Sequence, residues 1–298
     1  MLKLRWTYSL PSSVSEWDGS ERVSYYGKYV IGIWFSLNAE TGEEYWSRRM
    51  FRPGSICDCA DGVIVASDFK YGNSEGVYGI DANTGEILWK NHADGFWGKV
   101  CQWLEYVPLL TNEFRDSPDC VVDGKVFTCK GRTLDIRTGE PTTSKYKEGD
   151  VLREPKDLSP AGMLKRYGKV ELDDCSIKVE GHAYDFVLSG KGNARWQFVA
   201  REHGCCVENE YHIHGNYIFV ILGDGPDYVP VGPSEPHMAR PNEVRYLMGI
   251  IDARSGDLRI HRLQNGEERS LCRIEAVRDN RMLISYGRNI LEEYEITV

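Results

Sequence analysis

The stretch IDANTGEILWK, Ile80 to Lys90, sets a polar turn, Asn83-Thr84-Gly85, between an apolar run and a tryptophan-bearing one. The phrase returns as LNAETGEEYW from Leu37, LDIRTGEPTT from Leu134 and IDARSGDLRI from Ile251. Each copy runs from an apolar residue through Asn or Asp to a Thr-Gly or Ser-Gly turn, then to an acidic residue and a β-rich run. Glycine accepts the positive φ such a turn needs. The hydroxyl of Thr41, Thr84, Thr138 or Ser255 is placed to bond local backbone and fix the corner. The flanks alternate or run apolar over about five residues, as half-buried strands do.

A second phrase precedes the first. DGVIVAS at Asp61, DGKVFTC at Asp123 and HGNYIFVI at His214 each start a strand from a tight glycine turn, and YGKYVIGIW at Tyr26 and DNRMLISY at Asp279 fit the same template. One unit is then a four-stranded antiparallel meander of roughly 40–45 residues, the period of a propeller blade. The phrase from Ile80 to Trp89 resembles the PQQ-like repeat, the LDAxTGxxLW unit of quinoprotein-type β-propellers, and Leu37 to Trp46 matches it well; the other two copies keep the turn and lose the tryptophan.

The expected fold is all-β, a closed β-propeller forming a single domain over residues 1–298. Outer strands centre on Trp46, Trp89, Thr142, Trp196 and Arg259. The N-terminal LRWTYSL joins the three C-terminal strands to complete a last blade, because closure removes free sheet edges. That makes six blades, with seven as the alternative if another lies between Tyr146 and Cys205. The fourth, roughly Val170 to Arg201, has the weakest register.

A net charge of −9 argues against a sequence-independent grip on nucleic acid. No apolar run reaches the roughly 18 residues of a membrane span, and MLKLRWTYSL lacks the apolar core of a signal peptide. Nine scattered cysteines without an export signal suggest free thiols and a cytoplasmic protein.

Extra residues fall in three segments, 93–119, 147–172 and 223–244, all expected on one face of the ring. The first carries Phe96, Trp97, Trp103 and Tyr106, an aromatic platform or a lid packed onto the blades. The third holds five prolines with Tyr228, His237, Met238 and Arg240. Proline fixes φ and removes donors, so that segment is extended: a recognition edge or a solvated loop. The second is charge-mixed and reads as a solvated excursion, with Arg153, Lys165 and Arg166 a possible anion contact.

His203, Cys206, His212 and His214 are metal-ligand types close in sequence, yet their spacing matches no established zinc pattern. The cysteines near the innermost strands drift relative to the turns, and burial explains them better than a thiol ring. The resemblance raises PQQ as a cofactor, and Cys205-Cys206 matches the vicinal disulfide of the quinoprotein dehydrogenases. The chain is about half their length, however, and their calcium ligands and aspartate base are not recognisable in it. No cofactor, PQQ included, is expected. No phosphate loop, nucleophile elbow or HExxH motif is present. Pairs such as Asp173-Asp174 and Glu292-Glu293 read as acidic surface.

The expectation is a non-catalytic recognition module that binds a protein or peptide through the insertion-bearing face. The rival is an enzyme or a small-molecule or metal-binding propeller with its site at the channel mouth. There Trp97, Tyr228, His237 and Arg240 line an opening, and His203, His212 and His214 supply the chemistry.

Overall fold

The computed structural model describes residues 2–11, 23–32, 34–48, 53–70, 73–91, 117–129, 131–143, 168–171, 175–180, 187–191, 195–203, 206–224, 245–264, 272–286 and 289–297. The chain divides into two compact units, Pro11–Glu154 on one side and Met1–Leu10 with Pro155–Val298 on the other. Among the described residues there is no α-helix, and one 3-10 turn, Ala200–His203, interrupts the strands.

Strand β1 (Leu2–Ser9) opens the chain. In the unit Pro11–Glu154, sheet one takes β2 (Ser24–Tyr26), β3 (Tyr29–Gly32), β4 (Phe35–Asn38) and β5 (Glu44–Ser47). Sheet two takes β6 (Pro53–Ala60), β7 (Val63–Lys70), β8 (Asn73–Asp81) and β9 (Ile87–Asn91), and sheet three takes β10 (Pro118–Val122), β11 (Lys125–Thr128) and β12 (Thr133–Asp135). In the other unit, sheet four takes β13 (Gly168–Glu171), β14 (Ser176–Glu180), β15 (Val187–Lys191) and β16 (Arg195–Val199). Sheet five takes β17 (Cys206–His214), β18 (Tyr217–Asp224), β19 (Arg245–Asp252) and β20 (Leu258–Arg262). Sheet six takes β21 (Cys272–Arg278), β22 (Arg281–Tyr286) and β23 (Ile290–Ile296), and β1 joins it as the outer strand. Each is an antiparallel meander, so the architecture is all-β and propeller-like.

The repeated phrases fold alike because their hydrogen bonds are local. Asp61 and Gly62 both hold positive φ, 53° and 77°, the twist a two-residue hairpin turn requires. In the second phrase the Asp81 carboxylate accepts from the N–H groups of Asn83 (2.7 Å) and Thr84 (2.9 Å), while the Thr84 hydroxyl accepts from Glu86 N–H (3.2 Å). Asn38, Asp135 and Asp252 take the same bonds in their copies. The hydroxyl bond expected from the sequence recurs at Thr41, Thr138 and Ser255. Each Thr-Gly turn is also tied to the first hairpin turn of its own sheet. Ala82 N–H donates to Gly62 O, Ile136 to Gly124 and Ala253 to Asn216, which sets both turns at one end of the sheet.

Tryptophan joins neighbouring sheets. The indole N–H of Trp46 donates to Ala82 O (3.1 Å), that of Trp89 to Ile136 O (2.7 Å) and that of Trp196 to Ala253 O (2.9 Å). Each acceptor lies three residues before the turn glycine of the next repeat. A Cβ on Gly85, Gly139 or Gly256 would meet the docked ring at 2.6 Å, and each has positive φ, so both sterics and backbone demand glycine. The outer-strand tryptophan also needs a small residue beside it within its own sheet. A Cβ on Gly79 would lie 2.1 Å from Trp89, and the same holds for Gly190 and Trp196.

The cores are layered between sheets. Tyr29, Ile31 and Trp46 meet Ile64, Tyr78 and Ile80 between sheets one and two, and Val63, Val65 and Trp89 meet Val126, Leu134 and Ile136 between sheets two and three. In the other unit Ile177, Leu188 and Phe198 meet Ile218, Val220 and Leu222, while Phe219 and Ile221 on the reverse of β18 meet Ile274, Met282 and Tyr286.

The two chain ends do share one sheet: Tyr8 pairs with Leu291 and Leu2 with Ile296. Other readings are corrected. No strand forms around Thr142. Pro141 makes only an isolated bridge to Leu134, since proline brings no donor to a ladder. The three long segments are also shorter than read: Pro118 and Asp119 belong to β10, Gly168–Glu171 to β13, and Gly223 and Asp224 to β18.

Candidate functional site

The residues expected to bind a partner, Phe96, Trp97, Trp103, Tyr106, Tyr228, His237 and Arg240, lie outside the described residues. Their points of attachment are described. Strand β9 runs away from the Asn83-Thr84-Gly85 turn to Asn91, and β10 runs from Pro118 toward the Asp123-Gly124 turn. Segment 92–117 therefore joins the ends of sheets two and three opposite their turns. Segment 225–244 joins Asp224 to Arg245, which are paired across β18 and β19 at the end of sheet five opposite Gly215 and Gly256. The turn ends have little left to offer a ligand, because their polar groups are spent on one another.

The alternative metal set does not converge. His203 stacks on Phe198, with ring centroids 5.0 Å apart. His212 is 1% exposed, in the interior of sheet five, and His214 reaches Asn280 at 3.4 Å. Cys206 begins β17 six residues before His212, about 20 Å along an extended strand. Among the described residues no group of three or more His, Cys, Asp or Glu stands together as a metal site. Cys57, Cys59, Cys120, Cys129, Cys175 and Cys272 are free thiols. Burial, with Asp58 and Asp81 adding to it, pushes the Cys59 thiol up to about 12, so it stays protonated and is a poor nucleophile or ligand.

Sheet six holds a polar interior that the sequence did not announce. Glu292 and Glu293, read above as acidic surface, are both 0% exposed. The Tyr294 hydroxyl donates to Glu292 Oε2 (2.6 Å) and accepts from the Gln264 N–H (3.1 Å). Ser285 Oγ donates to Glu275 Oε1 at 2.6 Å, and Arg5 Nη1 donates to Glu293 Oε2 at 2.7 Å. Burial raises the phenols of Tyr286 and Tyr294, which remain protonated donors. The arrangement is internally satisfied. Its chemical consequence is structural: Arg5 fastens the closing strand β1 to β23.

Sheet four differs from the rest. On one face Ile177, Leu188 and Phe198 are 0–2% exposed against sheet five. On the other, Lys178, Glu180, Lys191, Arg195 and Gln197 are exposed and Ser176 and Ser189 half-buried. Register gathers them into rows. Ser176 pairs with Lys191 and Lys191 with Arg195; Lys178 pairs with Ser189 and Ser189 with Gln197. These residues line a concavity of about 550 Å³ at the turn end of the sheet. Lys178 is held by Glu180 at 2.6 Å. Lys191 and Arg195 face each other, with no carboxylate paired to either among the described residues.

No known protein family matches the chain, and no curated protein does. Among solved structures, it is similar to BBS1N in complex with ARL6DN, in crystals soaked with lead and with mercury. Identity is 12% in both, over 90% of this chain and 75% and 74% of theirs, with TM-scores of 0.23 and 0.22. A likeness at that level carries no argument about this chain. Among the described residues no helix is long and apolar enough to cross a membrane.

Proposed function

We propose that this chain is a cytoplasmic, non-catalytic recognition module that binds a protein or peptide, built on a closed ring of six blades without a cofactor. The observation that carries the proposal is the division of labour within each sheet. The turn ends are committed to Asx and Thr-Gly hydrogen bonds, whereas the long aromatic and proline-rich segments attach at the opposite ends. Rigid strands holding long segments at one end are the usual construction of a binding surface. Support for closure comes from β1, which completes sheet six and leaves β23 no free edge.

The test is a quantitative pull-down from the native host with the full chain, a variant lacking residues 225–244, and the double variant Trp97→Ala/Trp103→Ala. Loss of the same partner in either variant supports the assignment. Retention of every partner in both overturns it.

A further inference from the structure

We propose that the exposed face of sheet four is a second interaction surface, one that accepts an acidic, extended polypeptide segment. Three observations lead there. First, every strand of sheet five meets a neighbour on both faces, whereas β14, β15 and β16 alternate buried and exposed residues, so one whole face of sheet four meets solvent. Second, Lys191 and Arg195 are direct cross-strand partners. Like charges in that position repel one another and destabilise the pair, and the described residues supply no carboxylate to relieve them. Third, the face is concave, about 550 Å³, and Ser176, Ser189 and Gln197 offer hydroxyl and amide groups beside the cations.

The occupant follows from charge and shape. A carboxylate seated between Lys191 and Arg195 neutralises both and gains charge-assisted hydrogen bonds, bidentate with the guanidinium. A second carboxylate, about 7 Å further along an extended chain, competes with Glu180 for Lys178. The flanking hydroxyls and the Gln197 amide suit peptide groups. Nucleic acid is disfavoured by the chain's net charge of −9, which repels a polyanion of high charge density while tolerating a short acidic segment. In the ring proposed above, blades fan apart outward, so the third and fourth strands that carry Lys191 and Arg195 keep this surface accessible. The surface owes nothing to the long segments and stands apart from the recognition end.

The experiment is fluorescence anisotropy with fluorescein-labelled oligoglutamate and the full chain. Saturable binding is expected, weakening as salt rises, and Lys191→Gln and Arg195→Gln each reduce affinity about tenfold. Glu180→Gln strengthens binding by freeing Lys178. Lys191→Arg with Arg195→Lys keeps the charge and retains binding, which gives a readout if the neutral variants fold poorly. Deleting residues 225–244 leaves this binding unchanged, so its outcome is separate from that of the pull-down. Absence of saturable binding, undiminished affinity in a folded Lys191→Gln/Arg195→Gln variant, or tighter binding of oligouridylate than of oligoglutamate overturns the proposal.

Discussion

Sheets four and five share a core and differ on what lies behind them. Strand β18 carries IFVIL, Ile218 to Leu222, with every residue at 0–1% exposure because sheet four covers one face and sheet six the other. Strands β14, β15 and β16 read SIKVE, VLSGK and RWQFV, apolar residues alternating with charged or hydroxylated ones. A continuous apolar run marks a sheet enclosed on both sides, and alternation marks one that keeps a side for water or a partner. The strands of one repeat array can therefore be core or surface, and the period of their apolar residues tells which.

The largest expected effect tests that contrast directly. Phe219→Ala removes a fully buried ring from sheet five and should cost about 4 kcal/mol in urea unfolding. Gln197→Ala on the open face of sheet four should stay within about 0.5 kcal/mol. Comparable losses would break the distinction. Next in size is Glu293→Gln, which strips the charge from the partner of Arg5 and should cost about 2 kcal/mol in a thermal melt, moderated because Arg5 is partly exposed. Replacing both residues with apolar ones should recover part of that loss.

A smaller effect separates the turns of sheets one and three. The Thr138 N–H, bonded to Asp135, holds that carboxyl below its usual range, with the Arg137 N–H adding to this and slight desolvation opposing it. A lowered folded value means its contribution is present above the unfolded value of about 3.8 and lost as pH falls through the folded one. Urea midpoints measured against pH should show this loss in the native chain and not in Asp135→Asn. Asn38, at the matching place in sheet one, already performs the role without titrating. The smallest effect is a gain. Arg195→Gln relieves the like-charge pair and should add about 0.3 kcal/mol at low salt, shrinking as salt rises.

Much of the architecture was legible because its determinants are local. Asp81, Thr84, Gly85 and Trp89 sit within nine residues and make bonds to one another or to the next copy of the same phrase. The shared last sheet was legible too, from an unpaired outer strand at one end and three strands at the other. Sheet four was weakly readable: it lacks a Thr-Gly turn, and Trp196 follows its small partner Gly190 by six residues where Trp89 follows Gly79 by ten. Lys178, Lys191 and Arg195 are unremarkable in sequence, and only strand register sets them side by side. Glu292 and Glu293 misled for the opposite reason. Their partners, Tyr294 and Arg5, are two residues away for one and 288 for the other, and composition alone makes a Glu pair look solvated.

The most direct test of sheet four's open face is acetylation footprinting of the full chain by mass spectrometry. Lys191 should react as fast as a lysine in a free peptide and slow when oligoglutamate is added. Protection of Lys191 in the protein alone, or a rate that oligoglutamate does not change, would contradict it.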